Sequence, residues 1–131
     1  MKNKIFYTTE KEFENKFRKK ELRRNSFIVE INGSEIQTWP DFLAKMTEAF
    51  NLPYSPNANV YLDWMRDMDY ITEKSTCVVI KQYSQLMKED QHMKEIVIKD
   101  FSDYILPWWG GEIIGHMVGG KPQRFVVYLC D

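Results

Sequence analysis

The chain has 131 residues, of which 44% are apolar, 15% aromatic and 28% charged, enough for one domain with one proper core. No window approaches 18 consecutive apolar residues, and the N-terminal MKNKIFYTTEKEF holds no signal-length apolar run, so a spanning helix is excluded and a cytoplasmic protein is expected. The net charge of −1 conceals a division: residues 1–26 carry nine Lys/Arg and four Glu, a net of +5, and residues 27–131 carry nine Lys/Arg and fifteen Asp/Glu, a net of −6. An acidic body of that kind repels nucleic acid and attracts basic partners.

The first predicted elements are a short apolar run, Ile5-Phe6-Tyr7, and a helix from about Glu10 to Arg24. Thr9 and Glu12 form its capping box, and Phe13, Phe17 and Leu22 form its apolar edge. Its basic run, RKKELRR, invites a phosphate-binding reading. No Gly-rich or aromatic readout residues accompany it, which favours a solvated face. FIVEI (Phe27 to Ile31) alternates as a strand, and NGSE turns the chain. Thr38 then caps a second helix, with Pro40 in its first turn and Phe42, Leu43, Met46 and Phe50 at helical spacing. NLPYSPNAN ends that helix, because two prolines and three Asn in nine residues cannot continue it.

The next segment, NVYLDWMRDMDYI (residues 59–71), reads as a helix throughout. At about 100° per residue, Tyr61, Trp64, Met65 and Met68 form one stripe that burial must stabilise. Asn59, Asp63 and Asp67 form the opposite stripe, with Arg66 beside them. Solvated faces usually mix their signs, so acids kept in register raise the question of what they meet. TCVVIK is a continuous apolar run, expected to be a central, parallel, buried strand. Residues 83–105 read as mostly helical with a joint at KEDQH. Pro107 is expected to end that region, PWWGG to be a loop, and RFVVYLC to be the last strand. The order (βα)–β–α–α–β–α–α–β predicts an α/β fold, a small parallel sheet covered by helices.

Catalytic and metal chemistry find little support. His92 and His116 are the only histidines, 24 residues apart, and neither accompanies a nucleophile or a metal-ligand spacing. The glycine pairs at 110–111 and 119–120 belong to no phosphate loop, and the methionines read as core filler. Cys77 and Cys130 have no metal or redox spacing and are expected to be reduced and too far apart to bond. Asp63 and Asp67 lack the enclosing apolar pocket that separates the pKa values of an acid/base pair. The expectation is therefore no enzyme, no catalytic residues, no cofactor and no metal.

The order of motifs resembles the barstar family. The resemblance rests on INGSEI (Ile31 to Ile36), TWPDF (Thr38 to Phe42), LPY (Leu52 to Tyr54), Asn57, DWMRDMDYI (Asp63 to Ile71) and the closing FVVYLC. It covers residues 27–131, the barstar-like domain, and leaves residues 1–26 as a basic strand–helix extension. The loop from Pro53 to Asn57 is two residues shorter than in the family. Ser55 stands where a Gly is usual, and Asn59 where an Asp is typical. A second register places Asn59 on the family's Asn and Trp64 on its Trp; the shorter-loop register keeps Asp63 outward.

The resemblance implies a barstar-like sheet of three parallel strands, with a fourth open to the N-terminal segment. It also implies a ribonuclease inhibitor or immunity protein that neutralises a basic ribonuclease or a nuclease toxin domain with the acidic helix and the loop before it. The implied partner-binding residues are Tyr54, Asn57, Asn59, Asp63, Asp67 and Asp103. Two alternatives stay open: a nucleic-acid-binding module working through the basic N-terminal helix, and a small α/β protein with no nuclease partner.

Overall fold

The strand Ser75–Lys81 (β3) is buried from Ser75 to Ile80, so both of its faces must be covered. In the computed structural model, which describes residues 3–52, 60–67, 71–111 and 122–131, it is one of two central strands. The sheet consists of Ile5–Thr8 (β1), Phe27–Asn32 (β2), β3 and Arg124–Cys130 (β4), ordered β1-β4-β3-β2 with every neighbour parallel. The α/β expectation therefore holds, and the fourth strand comes from the N-terminal segment.

Register divides the core in two. Val29, Val78, Val127 and Ile5 lie in one row across the sheet. They pack beneath three helical elements: Trp39–Phe50 (α2), Tyr61–Met65 (α3) and residues 91–109 (α4). The alternate residues, Cys77, Val79, Val126, Tyr128 and Cys130, point to the other face. There they meet Phe13 and Phe17 of the helix at residues 10–23 (α1). Phe13 is fully buried, which stabilises the docking of α1 by about 2–3 kcal/mol.

Polar groups fix the same docking. Glu21 is buried, and its carboxylate accepts from Arg124 Nη1 and Nη2 (2.6 and 2.8 Å), Ser26 Oγ (2.7 Å) and the Tyr128 hydroxyl (2.8 Å). Burial works against that charge, but the hydrogen bonds outweigh it and hold the Glu21 pKa below its ordinary value. At the other end of α1, Glu14 bonds Arg18 and Lys81, and Arg18 also pairs with Glu30. Buried Asn3 donates to the Leu106 and Gln123 carbonyls and accepts from the Phe125 N–H, tying the chain's start to α4 and β4.

Of the two caps expected, Thr38 with Asp41 forms a complete capping box. The box at Thr9 is half formed: Thr9 accepts from the Glu12 N–H, but the Glu12 carboxylate accepts from the Thr8 hydroxyl instead. The 3₁₀ turn Gly33–Glu35 follows β2. A Cβ on Gly33 would lie 2.5 Å from the Gln82 carbonyl oxygen, so the close approach of these two backbones requires glycine.

Three expectations need correction. The helix expected over 59–71 is confined, among the described residues, to Tyr61–Met65: Arg66 turns with φ −108 and ψ 0, and Asp67 lies beyond the helix. Val60 provides no side-chain cap, and only Tyr61 and Met65, one turn apart, are buried; Trp64 is half-buried. Met68 lies outside the described residues. Pro107 does not end α4, and the expected PWWGG loop begins as helix, Leu106–Trp109. A π-helical turn, Asp100–Ile105, immediately precedes it, with the Leu106 N–H reaching back five residues to Phe101. That wider turn carries the backbone past a proline that would clash with the carbonyl four residues back in a regular helix. Finally, the short helix before KEDQH is a single 3₁₀ turn, Tyr83–Gln85, and α4 starts at Gln91 on an Asp90 cap.

Cys77 and Cys130 are both free and buried. Cys77 stands beside Val126 of β4, four residues before Cys130, which at about 3.3 Å per residue offsets the two backbone positions by roughly 13 Å along the strands. Burial raises the pKa of both, that of Cys130 to about 11. No helix among the described residues is long and apolar enough to cross a membrane.

Candidate functional site

The acidic surface is built on α3. Its buried side, Tyr61 and Met65, is locked into the core, while Asp63 on the other side keeps 75% of its side chain exposed. A five-residue helix does not hold itself together in water, so its position depends on external partners. The indole Nε1–H of Trp109 donates to the Met65 carbonyl at 2.8 Å, satisfying an acceptor at the end of the helix, and the same ring stacks on Phe125 of β4 with centroids 6.1 Å apart. Tyr61 packs edge-on against Trp39 and Phe42 of α2. α3 is therefore held by α2, α4 and β4 together.

The residue after the helix, Arg66, folds back over it. Its Nε donates to the Leu62 carbonyl at 3.2 Å, its Nη2 lies 3.5 Å from the Asp63 carboxylate, and its guanidinium sits over the Trp108 ring at 5.5 Å. Asp67 is exposed just beyond. Asp63 and Asp67 thus share one segment, but not as consecutive turns of one helix. Arg66 is a partner for Asp63 at a distance and exposure where an ion pair contributes little to stability.

Asp103 stands on the π-helical turn of α4, against which α3 packs. It is exposed and accepts from Ser102 Oγ at 3.1 Å. Exposed Tyr104 follows it, and Asp100 stands one turn earlier, half-buried. Burial, then the negative charge of Asp103, raises the Asp100 pKa. Of the six residues expected to bind a partner, Asp63 and Asp103 are therefore carried on two elements in contact, and Asp67 follows the first of them two residues after its end. Tyr54, Asn57 and Asn59 lie outside the described residues.

Sequence reasoning missed Arg66 as a local counter-charge, Trp108 and Trp109 as supports, and Asp100. Asp100 carried a signal: three residues before Asp103, it shares that residue's helical face. The tryptophans carry none, since a Pro-Trp-Trp-Gly-Gly run reads as a loop.

The basic residues of α1 are separated from this surface by the sheet. Lys11, Lys16, Lys19, Lys20, Arg23 and Arg24 are exposed, and Lys16 and Lys20 lie over the Phe17 ring at 5.3 and 6.0 Å. Among the described residues no three His, Cys, Asp or Glu side chains are grouped as metal ligands.

A family model described as Barstar (barnase inhibitor) matches residues 26–127. Neither the curated proteins nor the solved structures include a significant match.

Proposed function

Because the chain belongs to the Barstar family, we propose that it is a proteinaceous inhibitor of a basic ribonuclease, acting in the cytoplasm as an immunity protein rather than as an enzyme. The observation that carries this reading is Asp63: a carboxylate three-quarters exposed on a short helix whose opposite side is fixed in the core. A nuclease that binds phosphates concentrates Lys, Arg and His in a cleft, and rigidly held carboxylates can occupy the phosphate positions. Opposite charge also speeds encounter, which matters when the free nuclease is a toxin domain that damages its host. Pre-organisation by Trp109 and Arg66 limits the ordering cost of binding. Asp67 and Asp103 extend the acidic surface, and Tyr54, Asn57 and Asn59, which precede α3 in sequence, complete the proposed contact set. Residues 27–131 are the inhibitory unit in this reading, and residues 1–26 complete its sheet.

The test is to purify the tagged chain from its own host and identify what is bound. The expected result is a basic nuclease that regains activity when separated and loses it again at one equivalent of added chain. Recovery of the chain with no nuclease, from cells that express one, would count against the proposal.

A further inference from the structure

Beside the acidic surface lies a cavity of about 280 Å³, lined by Trp39, Tyr61, Leu62, Met93, Ile96 and Asp100. This is near the small end of ligand pockets, which run to about 300 Å³ and above. Its walls come from three helices, α2, α3 and α4. Leu62, Met93 and Ile96 make them largely apolar.

Three polar residues stand in that wall: Trp39, Tyr61 and Asp100. The Trp39 indole N–H and the Tyr61 hydroxyl are buried with no hydrogen-bond partner among the described residues, and Tyr61 is only 2% exposed. Asp100 has no ion-pair or hydrogen-bond partner among the described residues. The Asp100 charge reaches the Tyr61 hydroxyl and, after burial, is the second cause that raises its pKa. Native proteins rarely leave buried polar atoms unpaired. Two of them beside an unpaired carboxylate, around one cavity, mark a place where a ligand supplies the missing partners.

The chemistry of the ligand follows from the wall. Asp100, with Asp103 adding to its negative potential, favours a cation and excludes an anion. Trp39 and Tyr61 add ring faces suited to a cation. Trp39 offers only a donor, so the ligand also needs an acceptor oxygen. The apolar walls need a hydrocarbon stem between the two. We propose that this cavity binds an organic cation, a guanidinium or primary ammonium on a short apolar stem bearing a carbonyl oxygen. Such a group could come from a free small molecule or from an Arg or Lys side chain of a bound polypeptide.

Titrations followed through the Trp39 indole N–H resonance test the site and separate the sources. The probes are 4-guanidinobutanamide as the free cation with its own carbonyl, N-acetyl-arginine-N-methylamide as the peptide-borne one, and N-acetyl-glutamate-N-methylamide as an anionic control. The expected result is a saturable shift with at least one cation and none with the anion. Tighter binding of the blocked arginine assigns the pocket to polypeptide side chains, and tighter binding of 4-guanidinobutanamide assigns it to small molecules. Asp100→Asn should weaken the cation at least tenfold. Ile96→Trp, which fills the cavity without changing charge, should abolish the shift, with thermal melts showing both variants folded. No saturable shift with either cation, equal binding of the anion, or unchanged affinity in Asp100→Asn would overturn the assignment.

Discussion

Removing the Glu21 carboxylate should destabilise the chain more than any other single change to a charged residue. In Glu21→Ala, Arg124 loses both of its hydrogen bonds to the carboxylate, and the Tyr128 hydroxyl loses its acceptor. Truncating one partner of a buried pair costs about 3–5 kcal/mol, chiefly by leaving the other charge uncompensated. The Arg124 side chain keeps 21% of its exposure, so water relieves part of that cost and the lower end, about 3 kcal/mol, applies. For a chain of this size each kcal/mol moves the melting temperature by about 3–5 °C, which places the variant roughly 10–15 °C below the parent. Urea denaturation and calorimetry measure this directly. Arg124→Met should cost a similar amount, and the double variant Glu21→Ala/Arg124→Met much less than the two singles together. If Glu21→Ala falls within about 0.5 kcal/mol of the parent, or the double variant is additive, the network does not hold α1 to the sheet.

Other outcomes follow from the same geometry. Gly33→Ala forces a Cβ against the Gln82 carbonyl, a backbone atom that cannot swing away; a loss of about 1–3 kcal/mol in chemical denaturation is expected. Trp109→Phe preserves a ring to stack on Phe125 but loses the N–H held by the Met65 carbonyl. It should cost about 1 kcal/mol of stability and speed amide hydrogen exchange around α3, and unchanged exchange would show that α3 is held by other means. Hydrogen bonds from Arg18 and then Lys81 lower the Glu14 pKa to about 2, and Glu21 also lies below its ordinary value. Folded-state pKa values below the unfolded ones contribute stability that is complete above about pH 4.5 and lost as pH falls toward the folded values. Melting temperature should therefore drop between pH 4.5 and 2, with a shallower drop in Glu14→Gln/Glu21→Gln.

The parts of this fold legible in the sequence are those written in local chemistry. Thr9 and Thr38 announced α1 and α2 because a capping side chain bonds backbone only three residues away. The unbroken apolar run at β3 announced a strand covered on both faces. What escaped depends on contacts distant in sequence. α3 ends after five residues although its apolar pattern continues, since periodicity reports which face can be buried and not where the backbone stops. α4 passes Pro107 through a π-helical turn that no residue spacing encodes. Glu21 sits inside a basic, apparently solvated run, and its burial becomes visible only when Arg124, 103 positions later, is brought beside it. The same applies to the site: outward Asp63 follows from helical phase, whereas the enclosure of Asp100 needs α3 and α4 packed together.

If the acids around α3 replace substrate phosphates in a nuclease cleft, Asp63 is the residue on which most of the binding depends. Binding of the cognate nuclease should be measured by surface-based kinetics for the parent and for Asp63→Ala, with melts of both. Loss of this carboxylate leaves the cleft's cations desolvated and unpaired. The expected penalty is at least ~2 kcal/mol, the threshold of a hot spot in alanine scans of interfaces, barnase–barstar among them. That is about thirtyfold in affinity, expressed mainly as faster dissociation, while Asp67→Ala should chiefly slow association. Equal dissociation rates for two equally folded proteins would contradict the account and remove Asp63 from the interface.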